Sequence, residues 1–79
     1  MSNKEKYDQV FVESFSVSPD VLNADFVYQC VPQWDSVGHM AMIAALEDTF
    51  DIMMETEDII EFSSYTVGKE KLKKYGVEV

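Results

Sequence analysis

Apolar residues in the first fifteen positions fall at helical spacing: Tyr7, Val10, Phe11 and Phe15 stand at i, i+3, i+4 and i+8. The tetrad Ser2-Asn3-Lys4-Glu5 in front of them reads as a capping box, in which two polar side chains satisfy helix-end amides reciprocally. The pattern predicts a first helix from about Asn3 to Phe15 with its aromatic stripe in the core. Periodicity then lapses from Ser16 to Asp35. Ser18-Pro19-Asp20 offers a cap and a proline at the first helical position, enough for one short turn. A connection this long needs anchors to suit a compact domain, and Val21, Leu22, Phe26, Val27 and Tyr28 are expected to pin it over the core. Cys30 is expected to be a small buried apolar residue, with no base beside it. Pro32 discourages helix just before Trp34-Asp35, which should arrive extended.

The second helix is predicted from Ser36 to about Phe50, and it carries two apolar stripes instead of one. With about 100° between successive side chains, Met42, Ile43, Leu46 and Phe50 gather on one side, with His39 at the edge. Val37, Met40, Ala41 and Ala44 gather on another, flanked by Glu47 and Asp48. An ordinary amphipathic helix has a single apolar face. The Phe50 side has the larger residues and is expected to be buried. The Val37–Ala44 side is then left exposed with an acidic rim, as a transient partner surface requires.

The last third is expected to hold a brief helix across Glu57 to Glu61, capped by Thr56, with Ile59, Ile60 and Phe62 facing in. A final helix capped by Ser63 or Ser64 would bury Tyr65, Gly68, Leu72 and Tyr75 and stop at Gly76. Lys69, Lys71, Lys73 and Lys74 fall in its later turns, where cations favour the helix dipole, and read as a solvated face. The expected fold is all-α: a small bundle of three main helices and one short one, in a single domain over residues 1–79, with a long loop between helices one and two.

Composition narrows the function. The chain has 79 residues, 47% of them hydrophobic, which is enough apolar material for one ordered core. No apolar run approaches the roughly 20 residues of a membrane span, and the polar stretch Met1-Ser2-Asn3-Lys4-Glu5, with no apolar run after it, leads to the expectation of no signal peptide. Cys30 is the only cysteine, so no internal disulfide is possible and a cytoplasmic location is the simplest expectation. All six basic residues lie at Lys6 or before and at Lys69 or after, while twelve acids lie between Tyr7 and Gly68. Such a surface repels nucleic acid and anionic membrane and attracts basic protein patches.

Enzyme templates find little support. His39, the single histidine, stands three residues from Ser36 with no third group or oxyanion site suggested, and Gly38, Gly68 and Gly76 form no phosphate loop. The acids at Asp51, Glu55, Glu57 and Asp58 lack the order and the glycine of a calcium loop, so neither a resident metal nor a catalytic residue is expected. What remains is Asp35-Ser36 at the start of helix two. A helix cap explains the pair, yet a hydroxyl there is also exposed and next to unpaired amides that favour a phosphate group.

The residues around that pair resemble the acyl carrier protein family. Asp35-Ser36-Val37 resembles the family's Asp-Ser-Leu attachment motif, and Ala45-Leu46-Glu47-Asp48 with Phe50-Asp51-Ile52 resembles the rest of its second helix. Tyr7, Val10, Phe11 and Phe15 fall where its helix-one core residues lie, and the stretches Thr56 to Phe62 and Tyr65 to Tyr75 match its third and fourth helices. Trp34, Val37, His39 and Ala41 depart from the common fatty-acid pattern and look more like stand-alone carriers that serve ligases, sugar-modifying pathways or specialised biosynthesis. The resemblance implies a non-enzymatic phosphoprotein, monomeric, with a 4'-phosphopantetheine arm on Ser36 that carries an acyl or aminoacyl thioester. It further implies that a phosphopantetheinyl transferase attaches the arm, with Asp35 assisting Mg²⁺ during transfer. Basic docking patches on an acyl-activating ligase, acyltransferase or synthase, in a fatty-acid or polyketide-like pathway, would then meet Val37, Met40, Ala41, Ala44, Glu47, Asp48 and Asp51. Two alternatives stand beside this: a peptidyl or D-alanyl carrier, and an arm-less acidic interaction module of the same fold.

Overall fold

The capping box at Ser2 forms as its sequence suggests, and a computed structural model describes the chain from that residue on, over residues 2–79. Ser2 Oγ accepts from the Glu5 amide at 3.2 Å, and the Glu5 carboxylate accepts from the Ser2 amide at 3.4 Å. Helix α1 follows over Asn3–Phe15 and buries Tyr7, Val10, Phe11 and Phe15. A 3-10 turn over Pro19–Val21 breaks the long connection, after which come α2 (Ser36–Phe50), α3 (Thr56–Glu61) and α4 (Tyr65–Lys74). The bundle is all-α, with three main helices, one short one and the long loop between the first two. Among the described residues the β-type pairing consists of one isolated antiparallel bridge, Val27 with Ser64.

Aromatic rings fill the centre. Phe11 lies in edge or tilted contact with Tyr7, Phe26, Trp34 and Tyr65 at centroid distances of 4.9–5.9 Å. Trp34 is fully buried and stacks on Phe15 at 4.9 Å. Burying so large a ring just before α2 fixes where that helix begins, because the backbone of Trp34 and Asp35 leads directly into it. Helix α4 comes close to α1 at Gly68, where an added Cβ would lie 2.1 Å from the Phe62 ring and 2.2 Å from the Tyr7 hydroxyl. That hydroxyl donates to the Tyr65 carbonyl at 2.6 Å, and burial raises its pKa, so it stays a neutral donor. The helix ends in a Schellman turn: Gly76, at φ 81°, donates to Lys73 O, Val77 donates to Leu72 O, and both apolar partners are buried.

Several sequence expectations are corrected. In the long connection Phe26 is buried and Leu22 packs partly against the core, but Val21, Val27 and Tyr28 are exposed. Backbone bonds hold that stretch instead, with Tyr28 N donating to Ser63 O and Tyr65 N to Phe26 O, each at 2.9 Å. Cys30 is exposed, because the turn through Gln29 (φ 67°) carries it outward. Helix α3 takes Thr56 as its first residue, with Glu55 at the cap position making no side-chain bond there, and Ile60 points to solvent at 74% exposure. Lys71 and Lys74 are more than a solvated face. They flank the buried Asp58 carboxylate at 3.6 and 3.0 Å and tie α4 to α3, and the Tyr75 hydroxyl donates to the same carboxylate.

Two outcomes follow from this packing. Gly68→Ala gains about 1 kcal/mol of helix propensity but forces overlap with two rings, so it should lower unfolding free energy by a net of about 1–2 kcal/mol; urea denaturation measures this. The hydrogen bonds from Tyr75 and Lys74 hold the Asp58 carboxyl below its ordinary 3.8. A depressed carboxylate contributes stability that is present above its unfolded pKa and lost as pH falls through the folded one. The stability gap between the native chain and Asp58→Asn should therefore be open at pH 6 and close as the pH drops below about 4, read as urea midpoints at each pH.

Candidate functional site

Asp35 and Ser36 meet at the start of α2 in the geometry of a capped helix. Asp35 is extended and its Oδ1 accepts from the Gly38 amide at 2.8 Å, while its carbonyl accepts from the His39 amide, also at 2.8 Å. The amides of Ser36 and Val37 have no acceptor within the helix, as at any helix start. Gly38 is required sterically, since a Cβ there would lie 1.9 Å from the Gln33 carbonyl. The loop carrying Trp34 thus lies directly on the first turn of α2. Ser36 is exposed, and its Oγ lies 3.3 Å from the Tyr28 hydroxyl.

His39 has a structural task. Its Nδ1 accepts from the Trp34 indole N–H at 2.9 Å, and the indole can only donate. The ring proton therefore sits on Nε2, which donates to the Ile59 carbonyl at 2.8 Å. Both nitrogens are committed, so His39 is not available as a base for Ser36. Beside these groups lies an open groove of about 320 Å³, with Ser36, Tyr28, His39 and Met40 contributing to its lining along with Ile59, Ile60 and Phe62.

The sequence-assigned partner surface divides in two. Val37 (78% exposed), Met40 (53% exposed), Ala41 and Ala44 form the uncovered stripe of α2, and Asp48 is exposed nearby in sequence. Met42, Ile43 and Leu46 are buried on the opposite side. Glu47 is instead half-buried, and its Oε2 accepts from the Met54 amide at 2.8 Å, which holds the α2–α3 connection. Asp51 is exposed and caps α2 in the left-handed conformation (φ 53°), a backbone role that Asp or Asn fills better than most residues. Sequence reasoning missed the exposed Ile60 and Met53, and it missed Tyr28 as a neighbour of Ser36. The last contact joins residues across the long connection and leaves no periodic trace.

Among the described residues no group of three His, Cys, Asp or Glu side chains is placed to hold a metal ion, and no helix is long and apolar enough to cross a membrane. Comparison with known proteins finds no matching protein-family model, no matching curated protein and no matching solved structure.

Replacing His39 with alanine strands the buried Trp34 N–H, while the Ile59 carbonyl keeps the Phe62 amide at 3.4 Å. Leaving a buried polar group unsatisfied costs about 1–3 kcal/mol, so His39→Ala should lower the urea midpoint markedly and shift the Trp34 fluorescence toward that of a solvated indole.

Proposed function

We propose that this chain is a carrier protein of the acyl carrier type, bearing 4'-phosphopantetheine on the Ser36 hydroxyl. The observation that carries the reading is the exposed Ser36 at the opening of α2, set beside an uncovered apolar stripe in a surface with no basic residue between Tyr7 and Gly68. The residues present fit the group: an accessible primary hydroxyl, first-turn amides, the Tyr28 hydroxyl and an open groove all border the same point. When bound, the arm supplies a terminal thiol that holds an acyl or aminoacyl group as a thioester.

The chain's own residues then have distinct tasks. Ser36 Oγ attacks the phosphorus that bears pantetheine in coenzyme A; the bond to adenosine 3',5'-bisphosphate breaks, and the hydroxyl proton leaves to a base on the transferase. The exposed Asp35 carboxylate would help hold a Mg²⁺ ion, which would supply charge neutralisation for the phosphates of the donor. Asp35 also fixes the first turn of α2 through Gly38, so the attachment point does not fray. Val37, Met40, Ala41 and Ala44 offer apolar contact to a transferase and to acyl-activating, acyl-transferring or synthase partners. Asp48, Asp51 and the rest of the net charge of −9 steer basic patches toward it. Contacts of this sort are brief and salt-sensitive, as a shuttle needs. A monomer in the reducing cytoplasm suits both the single exposed thiol of Cys30 and this docking role. The departures at Trp34 and Val37 favour a specialised pathway, with an acyl, peptidyl-type aminoacyl or D-alanyl cargo set by the loading enzyme.

Incubation with a broad-specificity phosphopantetheinyl transferase, Mg²⁺ and coenzyme A should add one phosphopantetheine to the intact mass, and Ser36→Ala should add none. An unchanged wild-type mass, or a gain that persists in Ser36→Ala, defeats the reading in favour of an arm-less interaction module.

A further inference from the structure

Tyr28 lies in the connection between α1 and α2, and its backbone is held on both sides. Its amide donates to Ser63 O at 2.9 Å, Val27 bridges Ser64, and Gln29 N donates to Trp34 O at 3.1 Å. The left-handed Gln29 (φ 67°) turns the chain immediately afterwards. Its ring stands edge-on to Trp34 at 6.2 Å and to His39 at 5.7 Å, so two members of the buried hydrogen-bond chain support it. Despite that support the residue is exposed, and its hydroxyl ends 3.3 Å from Ser36 Oγ. This is long for a bond between hydroxyls, whose usual separation is about 2.7–2.8 Å. The phenol is therefore delivered to the neighbourhood of Ser36 by its surroundings, with its hydrogen-bonding capacity only loosely used.

We propose that Tyr28 is a positioning residue of the attachment site, whose hydroxyl holds the phosphodiester end of an arm carried on Ser36. The inference rests on the carrier reading above. Esterification removes the proton of Ser36 Oγ and places negative charge beside it, so the phenol can then act only as donor, in a charge-assisted bond stronger than the one it makes now. A neutral donor is what this surface has to offer. No lysine or arginine occurs between Tyr7 and Gly68, and none lines the groove that Tyr28 and Ser36 share.

The test compares the full-length chain with Tyr28→Phe, both loaded with phosphopantetheine from coenzyme A and followed by ³¹P NMR. Phenylalanine keeps the ring against Trp34 and His39, so the urea midpoint should not move and the ring-current contribution at phosphorus is retained. The phosphodiester resonance should shift between the two loaded proteins, because only the hydroxyl differs. Coincident resonances in two loaded, equally stable chains overturn the role of Tyr28 while leaving the carrier reading intact. A wild-type chain that takes up no arm overturns the carrier reading, and this proposal with it.

Discussion

The Trp34 indole N–H must find an acceptor in the core, and the rest of the structure is arranged around that demand. The ring is fully buried, and an indole nitrogen can donate but not accept. His39 supplies the acceptor from α2 and donates its own Nε2–H to the Ile59 carbonyl of α3. Three segments separated in sequence are thereby joined by two hydrogen bonds. A domain of this size has only about 3–5 kcal/mol of net stability to distribute. One stranded polar group of about 1–3 kcal/mol is therefore a large fraction of the whole.

That link also decides which face of α2 is free. With His39 turned toward Trp34 and Ile59, the Met42–Leu46 side must face α1 and the aromatic core. The Val37–Ala44 side has nothing packed over it and stays in solvent. Gly38 lets the Gln33 carbonyl press onto the first turn, and Asp35 closes that turn from the front. Ser36 is thus presented at a rigid corner where loop, helix start and groove converge. Tyr28 reaches the same corner from the other side of the connection.

Charge is segregated by the same architecture. The lysines of α4 are partly consumed at the far end of the chain, where Lys71 and Lys74 clasp Asp58 and neighbouring acids of α3. What they neutralise is the one buried carboxylate among the described residues. No lysine or arginine lies on α2 or elsewhere between Tyr7 and Gly68, so the acids of α2 have no cation on their own segment. Apolar contact and long-range attraction are thereby offered together on one surface, while the structural ion pairs are kept away from it.

Local rules determined much of this protein from sequence alone. The limits of α1 and α2, the capping box at Ser2, the stop at Gly76 and the choice of Met42, Ile43 and Leu46 for the core all follow from periodicity and cap chemistry, which act within one or two helical turns. The exposure of Val37, Met40, Ala41 and Ala44 was legible too, because a helix with two apolar stripes in a small bundle can bury only one. Other features depended on contacts between distant residues. The outward turn of Cys30, the solvent position of Ile60, the clasp on Asp58 and the capture of Glu47 by the Met54 amide were settled by which backbone segments came to lie side by side. The same holds for the site itself. Sequence marked Asp35 and Ser36, but only the folded chain brought Tyr28 to Ser36 and committed both nitrogens of His39, because those contacts depend on the path of a loop that has no periodicity to read.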